Sequence, residues 1–197
     1  MEKGAPTLYL LDVTDLKEDL SSRLNEEDQA RFRRYLKQED RLLFLGGRLL
    51  IHRFLGEGKL SFASNGKPYV DGGPSFSLTH SYPFVALLVG EGKLGVDIES
   101  KQRLASSKLG EIFPSIETDS DHDLGELWCV KEAIYKAKGT GYFDPKKPLL
   151  REEDGTYVCK GERYFVAKTE VDGYLLVAAS TSELPTLPVH QCTKEDL

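Results

Sequence analysis

The apolar positions along the chain fall into two kinds of pattern, and each predicts a different element. Thr7 to Val13 (TLYLLDV) is β-prone and mostly apolar, which predicts a first strand. Asn25 then offers a helix N-cap, followed by Glu26, Glu27 and Asp28, acidic residues that a helix N-terminus favours. Phe32, Tyr35 and Leu36 follow at helical spacing, and so do Leu42, Leu45 and Leu49, while Arg31, Arg33, Arg34, Lys37 and Arg41 mark the other face. Gly46-Gly47 inside the second segment costs roughly 2 kcal/mol of helix propensity against two alanines. Two glycines there imply close packing or a close approach to the helix backbone. Gly56 ends the helix.

From Lys59 the period changes to that of strands and turns. Asn65-Gly66 and Asp71-Gly72-Gly73-Pro74 are turn signals around Lys67 to Val70. Phe76 to His80, Phe84 to Val89 and Leu94 to Ile98 follow as a set of adjacent, antiparallel strands. Gly90 to Gly95 spells GxGxxG, but an alternating GVDIES follows where a dinucleotide site needs a helix, so a hairpin turn is the better reading. Residues 100 to 122 are polar with one apolar knot at Ile112-Phe113. A second strong helix is predicted from about Asp123 to Lys138, stopping at Gly139, with Leu127, Val130, Ile134 and Ala137 as its buried stripe. Thr156 to Val158, Tyr164 to Thr169 and Tyr174 to Ala179 are three further strands before a Pro-rich, polar end. Runs of strands beside single helices predict an α+β fold.

Composition narrows the function classes. The chain has 197 residues, 40% hydrophobic and 29% charged, enough for a core of useful size. A net charge of −6 gives no general attraction to nucleic acid or to an anionic membrane. Three cysteines without a CxxC pair argue against a disulfide framework and a cysteine zinc site, and four histidines show no ligand spacing. No signal peptide and no span-length apolar run is present, so a cytoplasmic protein is expected, with no nucleic acid and no membrane among its partners.

Three segments carry candidate chemistry. In Gly95-Val96-Asp97-Ile98-Glu99, strand alternation puts Asp97 and Glu99 on one face, with Val96 and Ile98 toward the core. Two adjacent carboxylates repel unless a cation lies between them, and an oxygen-only set suits Mg²⁺. The same pentapeptide also fits a half-exposed strand with an acidic outer face. In Trp128 to Lys136, Glu132 and Lys136 stand one helical turn apart, opposite the apolar stripe. They read as a surface ion pair or as a third carboxylate with a phosphate contact. In Ser77 to Ser81, His80 beside small hydroxyls suits a phosphate or merely satisfies local hydrogen bonds.

In this order, these pieces resemble the 4′-phosphopantetheinyl transferase family, in its longer, pseudo-dimeric, Sfp-like branch. The matching segments are Asn65 to Tyr69, Phe76 to Ser81, Gly95 to Glu99, and Trp128 to Ala133 with Lys136 and Gly139. Arg33 to Tyr35, Glu39 to Arg41 and the segment Ile112 to Glu117 are similar to family features too. The resemblance implies two similar halves, residues 1–92 and 93–197, related by a pseudo-twofold axis, each a small antiparallel sheet packed on a long helix. Coenzyme A would lie in the cleft between a nucleotide side and a catalytic side. A serine of an acyl, peptidyl or polyketide carrier protein would attack its β-phosphate, and adenosine 3′,5′-bisphosphate would leave. Asp97, Glu99 and Glu132 would hold Mg²⁺, Lys136 would reach the phosphates, and Glu132 or Glu99 would take the serine proton, with Glu132 favoured. Thr79 and His80 would meet the phosphates of the nucleotide half, Lys67 and Pro68 would pack near the adenine, and Arg31, Arg34 and Arg41 would supply charge for the ribose phosphate. Asp28 stands where family members often place a lysine. Ile112 and Phe113 are candidates for carrier docking. Both halves in one chain imply a monomer. The competing expectation is an inactive relative that binds coenzyme A or a carrier without transfer.

Overall fold

The computed structural model describes residues 5–56, 58–113, 123–139, 144–184 and 186–197. Pro114 to Glu117, part of the segment singled out above, lies outside them. The fold is α+β, with two larger sheets. The first has the order β11-β1-β5-β4, built from β1 (Thr7–Asp12), β4 (Ser75–Ser81), β5 (Phe84–Gly90) and β11 (Val189–Cys192). The second has the order β6-β10-β9-β8-β7, built from β6 (Leu94–Ser100), β7 (Leu150–Arg151), β8 (Tyr157–Cys159), β9 (Glu162–Val171) and β10 (Tyr174–Ser180). A small hairpin of β2 (Leu60–Phe62) and β3 (Pro68–Val70) stands apart.

The first helical stretch is two helices. In α1 (Glu26–Phe32) the Asn25 side chain accepts from the Asp28 N–H at 2.8 Å, as the N-cap signal predicts. The helix then breaks, and α2 (Gln38–Leu55) begins anew, so Leu36 does not continue the apolar stripe but stands 94% exposed. Leu42, Leu45 and Leu49 are buried and pack on Leu11, Val85 and Leu87 of the first sheet. The Gly46-Gly47 pair is explained by that packing. A Cβ on Gly46 would stand 2.7 Å from Val13 Cγ1, and one on Gly47 would stand 3.1 Å from Leu78 Cδ2.

After β6 come α3 (Lys101–Ser106), α4 (Leu109–Ile112) and α5 (Leu124–Lys138). Asp123 caps α5 by accepting from the N–H groups of Gly125 and Glu126, and Gly139 closes it at φ +68°. The expected stripe of Leu127, Val130, Ile134 and Ala137 is buried. Much of it packs on Tyr164, Leu175, Val177 and Ala179 of the second sheet.

Strands β5 and β10 are buried on two faces, which is why they read as nearly continuous apolar runs. In β10, Leu175, Val177 and Ala179 meet α5, while Leu176 and Ala178 join Leu94, Val96 and Ile98 in a third cluster. That cluster also takes Leu8, Leu10, Phe84, Ala86 and Leu88 from the first sheet, so one core joins the two sheets.

Two expectations need correction. The turn at Gly90 to Gly95 joins strands, but not as a hairpin: β5 pairs with β1 and β4, whereas β6 crosses to pair with β10. The first sheet is not wholly antiparallel, because β11, from the polar C-terminal stretch, pairs parallel to β1. Edge strands β4 and β6 are bridged by the Val96 N–H, which donates to Ser77 Oγ at 3.2 Å. No helix among the described residues is long and apolar enough to cross a membrane.

Candidate active site

The site forms where β4 runs beside β6 and the outer face of β6 meets α5. A Cβ on Gly95 would lie 1.9 Å from the Ala133 carbonyl oxygen, so the strand touches the helix backbone. Alternation then turns Asp97 and Glu99, on the same strand face as Gly95, toward α5. Asp97 is buried at 5% exposure, not displayed on a solvated outer face.

Asp97 anchors a three-residue contact. Lys136 Nζ donates to Asp97 Oδ1 at 2.6 Å and to Thr79 Oγ1 at 3.2 Å, and Thr79 Oγ1 lies 3.3 Å from the same carboxylate oxygen. Asp97 Oδ2 and Glu99 Oε2 are buried without a hydrogen-bond partner. The exposed Arg103 guanidinium approaches Glu99 Oε2 only to 3.5 Å, an ion-pair distance too long for a firm hydrogen bond. Burial raises the pKa of Glu99 above the ordinary carboxylate value, and the Asp97 charge adds to the rise against Arg103 and Lys136. Burial likewise raises Glu132, with Asp97 and Glu99 reinforcing the shift and Lys136 opposing it.

Glu132, Lys136, Asp97, Glu99, Thr79 and His80 all line one cleft of about 520 Å³. His80 remains solvent-accessible on its wall. Crowding by protein around the ring, then the Lys136 ammonium, hold its pKa below the usual histidine value, so the imidazole is neutral at pH 7. Cys129 is fully buried beneath these groups. Burial and then the Asp97 and Glu99 charges push its thiol far up, which leaves it an inert, protonated group.

The cleft continues in both directions. Pro68, Leu78, Glu132 and Lys136 are shared with an adjoining cavity of about 440 Å³, which Lys67 also lines. Arg31, Arg48 and Phe62 are shared with a broad groove of about 1330 Å³ that reaches Arg34 and Lys59. Arg31 and Arg34 thus meet the groove, but Arg41 turns to the Glu18 carboxylate at 3.0 Å and the Tyr35 carbonyl at 3.2 Å. Lys67 directs its ammonium to backbone carbonyls of Leu94 and Ala137, at 2.9 and 3.4 Å.

Arg48 is the cleft residue that pattern reading missed. Its Nε donates to the buried Asp28 carboxylate at 2.8 Å, and its guanidinium lies 4.8 Å from the Phe44 ring centre. The signal was available: a charged residue inside the buried stripe of α2 requires a partner. Asp28, read as a simple first-turn acid, is that partner. Lys131, next to Glu132, is fully buried, donates to the carbonyls of Pro145 and Lys147 at 3.0 Å each, and covers the Phe113 ring. Phe113 is itself buried at 6% exposure, so it cannot serve as the docking residue expected of it.

Among the described residues, no three His, Cys, Asp or Glu side chains are gathered closely enough to hold a metal ion. The arrangement still fits Mg²⁺. Two buried carboxylate oxygens without a hydrogen bond suit a divalent cation, and Mg²⁺ commonly takes one or two carboxylates together with substrate phosphates instead of a full protein cage.

Residues 93–172, which carry Asp97, Glu99, Glu132 and Lys136, match the family model of the 4′-phosphopantetheinyl transferase superfamily. The chain is also similar to the 4′-phosphopantetheinyl transferase gsp of Aneurinibacillus migulanus, 30% identical over 144 residues, covering 64% of this chain. The match spans 60% of that relative's length.

Proposed function

We propose, from the match of residues 93–172 to the 4′-phosphopantetheinyl transferase superfamily and the similarity to a curated transferase, that the chain transfers phosphopantetheine from coenzyme A to a serine of an apo carrier protein. Adenosine 3′,5′-bisphosphate is the leaving product. The observation that carries this reading is the Thr79–Asp97–Lys136 contact beside two buried carboxylate oxygens that accept no hydrogen bond, in a cleft that opens onto an arginine-lined groove.

In this reading Asp97 and Glu99 would hold Mg²⁺, with Glu132 completing the acidic wall. When bound, the ion would supply charge neutralisation at the pyrophosphate and Lewis-acid activation of the phosphorus. Lys136 has three donors, two of them directed at Asp97 and Thr79, and the third serves a phosphate oxygen. Glu132, whose carboxyl burial holds above the ordinary carboxylate value, takes the serine proton, and Glu99, raised in the same direction, is the alternative base. The serine Oγ–phosphorus bond forms as the pyrophosphate P–O bond to the departing adenosine 3′,5′-bisphosphate breaks. Neutral His80 offers a hydrogen bond to the nucleotide half without adding charge. Arg31, Arg34 and Arg48 line the groove that accommodates the nucleotide phosphates, a role Arg41 is not placed to share.

Residues 1–92 supply the nucleotide side and 93–197 the acidic, proton-accepting side. The protein acts in the cytoplasm, as a monomer, on an acyl, peptidyl or polyketide carrier. The inactive alternative gains nothing from this geometry, since all four charged groups of the expected machinery share one cleft.

The test is intact-mass spectrometry of apo carrier proteins incubated with the protein, coenzyme A and Mg²⁺. A gain of one phosphopantetheine that disappears with chelator is expected. No gain across fatty-acid, polyketide and peptidyl carriers would overturn the reading.

A further inference from the structure

The turn Asn65-Gly66-Lys67 between β2 and β3 is remote in sequence from α5, yet it closes on that helix's C-terminus. The final carbonyls of a helix lack partners within it. Here the Gly139 N–H donates to the carbonyls of Tyr135 and Lys136, at 3.0 and 3.2 Å. The Ala137 carbonyl takes the Lys67 ammonium at 3.4 Å, and the Gly139 carbonyl takes Asn65 Nδ2. A Cβ on Gly139 would stand 2.9 Å from Asn65 Nδ2, so the approach needs a glycine as well as permitting one. The turn holds its own shape through the Lys67 N–H, which donates to Asn65 Oδ1 at 3.0 Å.

The same ammonium donates at 2.9 Å to the carbonyl of Leu94, the first residue of β6. One positive group therefore grips the ends of the two elements that carry the charged site, β6 with Asp97 and Glu99, and α5 with Glu132 and Lys136. A cation at a helix C-terminus also complements the helix dipole. Ala137 directly follows Lys136, so the grip acts one residue from the ammonium that meets Asp97.

We propose that Lys67, aided by Asn65, is a positioning residue of the transfer reaction: it fixes the last turn of α5 against β6 and thereby sets Lys136, instead of contacting the nucleotide. This rests on the transferase reading of the cleft. It assigns a lysine of the small hairpin to the geometry of the reaction, although the residue lines a cavity beside the site.

Hydrogen exchange followed by mass spectrometry on the unliganded protein separates the two roles, together with steady-state transfer kinetics. Lys67→Met is expected to speed amide exchange in residues 133–139 by about tenfold, the order associated with losing a hydrogen bond from a charged donor. It should lower kcat while the KM for coenzyme A stays within roughly twofold, because an orientation effect acts on turnover. Lys67→Arg should recover part of kcat. Unchanged exchange at 133–139, or a raised KM for coenzyme A with kcat kept, would overturn the proposal. Should Lys67→Met lack a native far-UV spectrum, Asn65→Ala carries the same exchange comparison. Absence of transfer by the unsubstituted protein would sink the transferase reading alone, and exchange would still decide whether the turn clamps the helix.

Discussion

Asp97 is the residue on which the site's charge balance turns. Its Oδ1 receives Lys136 at 2.6 Å, while the buried Oδ2 accepts no hydrogen bond. Asp97→Asn keeps the shape and removes the charge, leaving Lys136 without its counter-ion and, on the proposed reading, Mg²⁺ without one ligand. Transfer is expected to fall at least about 100-fold, the scale seen when one preorganised electrostatic group is lost from an active site. Activity within a few-fold of normal, measured by carrier mass shift, would remove Asp97 from the machinery. Glu99 and Glu132 yield a pH-dependent prediction. Both have raised pKa values in the folded protein, so the fold favours their protonated forms. Their contribution to stability is therefore fully present below the ordinary value of 4.5 and is lost as pH rises through the raised value. At neutral pH the crowded charges oppose folding, and Mg²⁺ binding should relieve them. Thermal melts should show a larger Mg²⁺-induced rise in Tm at pH 7.5 than at pH 5. Glu132→Gln should raise the metal-free Tm at the higher pH while depressing transfer. An equal Mg²⁺ shift at both pH values would contradict this electrostatic account.

The elements show how far a pattern can be read and where it stops. The cap at Asn25, the stripe of α5 and its end at Gly139 follow from local chemistry, and the structure reproduces them because short-range rules decide them. Alternation correctly paired Asp97 with Glu99 on one face, but it could not say that the face would be covered by a helix. That burial turns a common acidic strand into a strained pair of carboxylates. The strand β11 escaped notice because four residues, VHQC, in a polar stretch have no periodicity to detect, and parallel pairing with β1 leaves no turn signal. The break after Phe32 was also hidden, since Tyr35 and Leu36 keep a helical spacing that the backbone does not follow. Arg41 and Lys67 were legible as cations but not as partners of Glu18 and of backbone carbonyls, which only the fold brings near. Gly95 offers the sharpest element-scale test. A Cβ there would meet the Ala133 carbonyl at 1.9 Å and the Ala137 nitrogen at 2.5 Å, both backbone atoms with little room to move. Gly95→Ala should exceed the usual overpacking cost of about 1–3 kcal/mol and separate β6 from α5. The control is Gly110→Ala, where the nearest atom lies at 3.9 Å and the change should stay within about 0.5 kcal/mol. Equal denaturation midpoints for the two variants would show that strand and helix are not in backbone contact.

At the scale of the whole molecule, the cleft exists because two sheets share one core, and this sets a limit on how the chain can be divided. Residues 1–92 and 93–197 each hold a sheet with a long helix, which invites the idea that either could fold alone. The third cluster argues otherwise, because Leu8, Leu10, Phe84 and Leu88 face Leu94, Val96, Ile98 and Leu176 across the boundary, and β11 returns to pair with β1. Exposing side chains of this size costs about 1.5–3 kcal/mol each. The four from the first half alone thus match the net stability of an ordinary domain, roughly 5–15 kcal/mol. Each half expressed separately is expected to lack dispersed amide resonances, and the intact chain to unfold in a single transition at which far-UV ellipticity and Trp128 fluorescence change together. Co-expressed halves should recover the fold, since the boundary falls in the exposed turn Glu91-Gly92-Lys93 and cuts no strand. A dispersed spectrum from residues 1–92 alone would mean that the first sheet tolerates an open face. The cleft would then be a contact between two independent bodies, and the alignment of Thr79 with Asp97 and Lys136 would have to be created by ligand instead of being built into the core.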